Sequence, residues 1–121
     1  MAVYVDDAAI MFRSKPRFHL AADSVKELHA FCMKVGINKC WFHNAKGHPH
    51  YDITEVQRLA AIKHGAIAMS ARELSFRTES GRKTLNWLIE KNAGDPAEQA
   101  KWIAMIPPGT EPDPAKQQEL F

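Results

Sequence analysis

Phe18-His19-Leu20-Ala21-Ala22-Asp23-Ser24-Val25-Lys26-Glu27 reads as a strand that runs directly into the start of a helix. The first five residues are aromatic and aliphatic around one histidine, and the run breaks at Asp23. Ser24 and Glu27 stand at capping-box spacing, where a hydroxyl and a carboxylate satisfy the first free backbone N–H groups of a helix. Val25, Leu28, Phe31, Cys32 and Val35 then fall on one helical stripe. Gly36 is the natural stop, because glycine adopts the left-handed backbone that closes a helix. On that stripe Cys32 reads as a small buried apolar residue. His29 at the stripe edge and His19 among apolar neighbours read first as hydrogen-bonded structural histidines.

The same grammar recurs outward from this unit. Ala66-Ile67-Ala68-Met69 is a short apolar strand, followed by Ser70 and Glu73 at capping-box spacing and a helix through Leu74 and Phe76. Thr54 and Gln57 open another helix, which carries Val56, Leu59, Ala60 and Ile62 and stops at His64-Gly65. Ala2-Val3-Tyr4-Val5 is a β-branched and aromatic strand, and Ile37 to Phe42 is expected to hold a strand around Cys40-Trp41-Phe42. Strand, cap and helix in alternation predict an α/β fold. The expectation is a small, mostly parallel sheet of three or four strands with flanking helices.

Beyond Arg77 the pattern turns helical. Glu79 to Lys91 carries Leu85, Leu88 and Ile89 on one side, and Asp95-Pro96-Ala97-Glu98 restarts a helix with an N-cap and proline at its first position. Pro107-Pro108 ends it. The reading divides the chain into an α/β domain at 1–77, a helical appendage at 78–106 and an extended proline-rich tail at 107–121. Core burial in so small a unit is limited, so the added helices or a homodimer contact are expected to contribute.

Composition excludes several classes. The 121 residues are 45% hydrophobic and 25% charged with a net charge of +2, an ordinary balance for a globular domain and too mild to imply nucleic-acid binding by itself. No apolar run approaches the ~18 residues of a membrane helix. The first residues are acidic, so a signal peptide is not expected. Two cysteines make no disulfide framework, and a reducing cytoplasmic setting follows.

The chemistry concentrates in His48-Pro49-His50-Tyr51-Asp52. Pro49 pushes His48 out of helical geometry, and on an extended chain His48, His50 and Asp52 share one face. Imidazole suits zinc and its neighbours, and carboxylate suits harder ions. The plainer alternative is a polar loop with Asp52 helping to start a helix. Asp6 and Asp7 close the first strand, where ligands bind in open α/β sheets, and Asp6 is the stronger candidate; turn chemistry is the alternative. Cys40, His43, His48 and His50 are all zinc-type ligands, but their spacing matches no zinc motif. Arg13, Lys15 and Arg17 alternate, with Phe12 and Phe18 flanking them. On an extended chain they offer phosphates three cations, or simply form a solvated rim.

Taken together, Val3-Tyr4-Val5-Asp6-Asp7, His19 with Asp23, Glu27-Leu28-His29, His50-Tyr51-Asp52-Ile53, Gly65-Ala66 and Arg72-Glu73-Leu74 make residues 1 to about 76 resemble the domain-of-unknown-function family number 4031 of bacterial and bacteriophage proteins. The resemblance supplies no mechanism. It implies that Asp6, His19, His50, Asp52 and Arg72 recur as a set, and it suggests a phage or prophage protein in a bacterial cytoplasm. At the other end, Gln117-Gln118-Glu119-Leu120-Phe121 resembles the Gln-x-x-Leu-Phe peptide with which bacterial polymerases and repair proteins bind the DNA sliding clamp.

Two readings result. In one, a phage-type protein of DNA metabolism docks on the clamp through Gln117, Leu120 and Phe121. In the other, the body is a metal-dependent phosphodiester or phosphate hydrolase. There Asp6, His50 and Asp52 would hold Mg, Mn or Zn, His19 would act as acid or base, and Arg72 or Arg17 would neutralise phosphate charge. No complete catalytic motif is present, so both stand.

Overall fold

A computed structural model describes residues 2–107. Six strands and five helices follow in the order β1 (Val3–Val5), β2 (Ile10–Phe12), β3 (Lys15–Ala22), α1 (Val25–Val35), β4 (Phe42–His43), β5 (His50–Ile53), α2 (Glu55–Lys63), β6 (Ile67–Ala68), α3 (Ala71–Arg77), α4 (Glu79–Lys91) and α5 (Pro96–Ile103). The class is the expected α/β. Gln117, Leu120, Phe121 and the rest of the expected tail after Pro107 lie outside the described residues.

The sheet is mixed rather than mostly parallel, with strand order β4-β5-β3-β1-β6 and β2 paired to the outer half of β3. Among the described residues β1 and β6 alone run parallel; the β1–β3, β2–β3, β3–β5 and β4–β5 pairs are antiparallel. The physical reason is connection length. A parallel crossover needs roughly a dozen residues or more, usually a helix, and the chain between β1 and β3 or between β4 and β5 is too short for one. Helix α2 supplies such a crossover before β6. The strand expected around Cys40 is instead a 3-10 turn at Lys39–Trp41, because the Asn38 side chain accepts the Cys40 backbone N–H at 2.8 Å.

Strand alternation divides the sheet into two unlike faces. Val3, Val5, Phe18, Leu20, Tyr51 and Ile53 point to one side and pack with Leu28 and Cys32 of α1 and Ala61 of α2. The opposite face is thinner, with Tyr4 and Ala21 meeting Leu74 of α3. His19, His50 and Asp52 are on that second face, in alternation with the core residues. All three expected caps form: Ser24, Thr54 and Ser70 accept the backbone N–H groups of Glu27, Gln57 and Glu73.

Helices α3 and α4 meet at a tight corner. Thr78 donates to the Ser75 carbonyl at 2.6 Å and accepts the Gly81 N–H at 3.1 Å. Gly81 is buried, and a Cβ there would overlap the Ser75 carbonyl oxygen, whereas nothing lies near a Cβ at Gly94. Gly81→Ala should therefore destabilise the protein by about 3 kcal/mol or more, and Gly94→Ala should stay within about 0.5 kcal/mol. Urea melts of the two variants check this, and equal stabilities would contradict the corner packing.

Candidate functional site

The site is built on the register of three adjacent strands. Val5 pairs with Leu20 and His19 with Asp52, so Asp6, His19 and Asp52 sit side by side at the end of β1 and the middle of β3 and β5. His43 pairs with His50 on the outer side. Residues distant in sequence become cross-strand neighbours.

Asp6 anchors the arrangement. It is 2% exposed, and its carboxylate accepts the His19 backbone N–H at 2.8 Å, contacts His19 Nδ1 at 2.6 Å and accepts the Ala8 N–H at 3.3 Å. Its own N–H donates to the His19 carbonyl at 3.0 Å. Arg58 of α2 donates through Nε to the Asp6 carbonyl at 2.9 Å and lies over the Phe18 ring. Burial pushes the Asp6 carboxyl up. The hydrogen bonds from the His19 side chain and backbone, with the His19 charge, more than offset this and hold it below its ordinary value. The bond to Asp6 raises His19 against the opposing effect of burial, helped by the charges of Asp6 and Asp52.

With Nδ1 engaged by Asp6, His19 turns Nε2 outward, 3.8 Å from Asp52. His50 is oriented in the same way: Nδ1 donates to the His48 carbonyl at 2.8 Å, leaving Nε2 3.5 Å from Asp52. Burial holds His50 below its ordinary value, opposed by its bond to the His48 carbonyl. One ligand atom each from His19, His50 and Asp52 lies within 4.8 Å of the others, the spacing of a set that could share one ion. His43 adds Nε2 at 2.8 Å from the other Asp52 oxygen. The His43 and His48 rings each stack on the His50 ring, at centroid distances of 5.3 and 5.7 Å.

A cleft of about 390 Å³ opens beside these groups, lined by Asp6, His19, His48 and His50 on the sheet side and by Ser75, Thr78 and Ser80 at the α3–α4 corner. Ser80 ties that corner to the histidine loop: its backbone N–H donates to the Gly47 carbonyl at 3.2 Å, and its hydroxyl is 3.4 Å from His48 Nδ1.

The structure thus brings Asp6, His19, His50 and Asp52 together. Asp6 stands behind His19 as its orienting carboxylate, so the three residues whose atoms cluster within 4.8 Å are His19, His50 and Asp52 rather than Asp6, His50 and Asp52. Asp7 is exposed and caps α3 by accepting the Ala71 N–H at 2.9 Å. Arg72 does not line the cleft; its guanidinium lies over Trp102. Cys40 belongs to no ligand cluster among the described residues. Arg13 breaks from the expected stripe, because Arg13 and Ser14 form the β2–β3 turn at φ of 51° and 66°. Arg58 was not legible as a site residue. Its bond to a backbone carbonyl 52 positions away leaves no local signature.

The fold and site define a small mixed-sheet α/β protein that carries a histidine–carboxylate cluster on its thinly covered face. The chain belongs to the family described as "Protein of unknown function (DUF4031)", whose family model matches residues 3–80, a span that contains every strand and every residue of the cluster. No curated protein and no solved structure matches the chain.

The Asp6–His19 pair makes stability depend on pH. Asp6, depressed in the fold, contributes fully above its ordinary 3.8 and loses that contribution as pH falls through its lower folded value. His19, raised in the fold, contributes fully below its ordinary 6.5 and loses that contribution as pH rises through its higher folded value. His50 acts oppositely to His19, because its neutral form is favoured and folding is penalised below 6.5. The stability difference between wild type and Asp6→Asn isolates the pair. It should be largest between 3.8 and 6.5 and shrink on both sides in urea melts. A difference that does not vary with pH would show that the pair carries no charge in the fold.

Proposed function

We propose that the body of this protein is a metal-dependent phosphoester hydrolase, with His19, His50 and Asp52 as ligands. One observation carries the reading. Two imidazole Nε2 atoms and a carboxylate converge beside an open cleft, and each imidazole has its other nitrogen committed to a carboxylate or carbonyl. Such a second partner fixes the tautomer and raises ligand basicity at metal sites. Two nitrogens and one oxygen suit zinc or manganese better than magnesium. When bound, the ion would supply an activated water and polarise a phosphoryl oxygen. The chain's own residues do the rest: Asp6 holds His19 in place, His43 steadies the second Asp52 oxygen, and the hydroxyls of Ser75 and Ser80 can donate to substrate in the cleft.

Calorimetric titration with Mn²⁺ and Zn²⁺ should show one site. His50→Ala and Asp52→Ala should abolish it, and Asp6→Asn should weaken it about 10- to 100-fold. Cleavage of bis-p-nitrophenyl phosphate should vanish in EDTA and in those variants, and Arg72→Ala should leave it unchanged. Wild-type protein giving no binding heat with either ion would end this reading.

The sequence favours a second, compatible reading for Gln117-Gln118-Glu119-Leu120-Phe121: docking on a bacterial DNA sliding clamp, as expected of a phage-type protein acting in DNA metabolism. Leu120 and Phe121 can each contribute about 1.5–3 kcal/mol on burial in a groove, with Gln117 hydrogen-bonding at the rim. After ordering costs, a Kd of about micromolar is expected. Full-length protein should be retained by immobilised clamp, and Leu120→Ala with Phe121→Ala should release it. Retention of that double variant would refute the motif.

A further inference from the structure

The β2–β3 hairpin is not explained by the core. It projects from the sheet, since β3 pairs with β1 only at Leu20–Ala22 and with β5 only at Phe18–Leu20, leaving Lys15–Arg17 paired to β2 alone. All three β2 side chains are exposed, Ile10 at 53%, Met11 at 63% and Phe12 at 47%. Such an edge invites aggregation unless it is charged or covered, and this one is charged, by Arg13, Lys15 and Arg17.

Three features of the hairpin point outward to a ligand. Alternation along β3 puts Lys15, Arg17 and His19 on one face in line, so the cations lead from the tip to the metal-ligand candidate. Ile10, on the partner strand, lines the same cleft as His19 and His50. The Arg17 guanidinium carbon lies 4.6 Å from the Trp41 ring centroid and 5.6 Å from that of Phe12, which keeps its charge beside two aromatic rings. The turn adds a fourth. Arg13 and Ser14 both hold positive φ, where asparagine and glycine are the favoured residues, so the chain keeps a cation at the tip at a conformational cost.

We propose that this hairpin is a binding platform for single-stranded nucleic acid, which it guides along Lys15 and Arg17 to the His19–His50–Asp52 cleft. The proposal rests on the hydrolase reading and names its substrate class. Cations that follow the backbone and flat aromatic or guanidinium surfaces that accept bases are the two elements of sequence-independent single-strand binding. A second copy of this chain fits poorly, because two such hairpins would bring like charges together. A protein partner with no negative charge would leave Arg17 unanswered.

The test is fluorescence anisotropy of the full chain with a labelled oligothymidylate of about twenty nucleotides, at about 50 mM salt in EDTA. EDTA makes the assay independent of metal, so it reads the hairpin alone, while the metal titration reads the ligand set alone. Micromolar binding is expected, with log K falling against log salt at a slope of about −2 for three contacts. Phe12→Ala should weaken binding about tenfold, in line with the loss of one stacking surface. Arg13→Asn with Ser14→Gly is the decisive variant: it should raise the melting temperature and yet weaken binding and flatten the salt slope by about 0.7. No binding below about 100 μM, binding unchanged in both variants, or binding to phosphatidylserine vesicles in preference to oligothymidylate would each overturn the proposal.

Discussion

The buried carboxylate of Asp6 is the constraint on which the rest of the site depends. A carboxylate taken out of water costs several kcal/mol unless charge and hydrogen bonds compensate it. Here His19 compensates it twice, through its ring and its backbone, and Arg58 fastens the backbone of Asp6 from the helix side. The consequence is orientational. Since Nδ1 of His19 is committed inward, Nε2 has only one direction left, toward Asp52 and the cleft. Removing Asp6 would do more than remove a charge, because it would free the ring that sets the geometry of its neighbours.

That constraint explains why the sheet has two characters. One face is a dry core under α1 and α2, closed by Tyr51, Leu20 and Ile53. In that core the Cys32 thiol is pushed up to about 12 by burial and is chemically quiet. The other face carries the polar members of the same strands and, among the described residues, is covered by α3 and the α3–α4 corner. Helix α4, which sequence alone assigns to an appendage, reaches this face through Ser80, whose contact with Gly47 fixes the loop that carries His48. The cleft is therefore a joint product of sheet, histidine loop and corner, and it is why a crowded residue such as Gly81 bears on a site it does not touch.

Local patterns determined much of this protein. The three helix N-caps, with a full capping box at Thr54–Gln57, the apolar stripe of α1, the strand character of Phe18–Ala22, the extended backbone at His50-Tyr51-Asp52 and the α/β class all follow from interactions within a few residues, which a single sequence displays. Of the polar cluster, His50 and Asp52 were legible from the extended His-x-Asp segment and Asp6 from its place at a strand end, whereas His19 joined them only through the family resemblance, since among apolar neighbours it reads as a structural histidine.

Tertiary structure alone decided which strands lie side by side and therefore which polar residue does what. Pairing is a non-local choice governed by connection length and by burial of one face, and a tight turn at Arg13-Ser14 sends the chain back antiparallel where repeated strand–helix units suggested parallel neighbours. The same choice places Asp6 behind His19 rather than within the cluster of His19, His50 and Asp52, brings His43 onto Asp52, turns Arg72 away to Trp102 and recruits Arg58 across 52 positions. None of these has a signature at short range, because each depends on a register that exists only once the strands have paired.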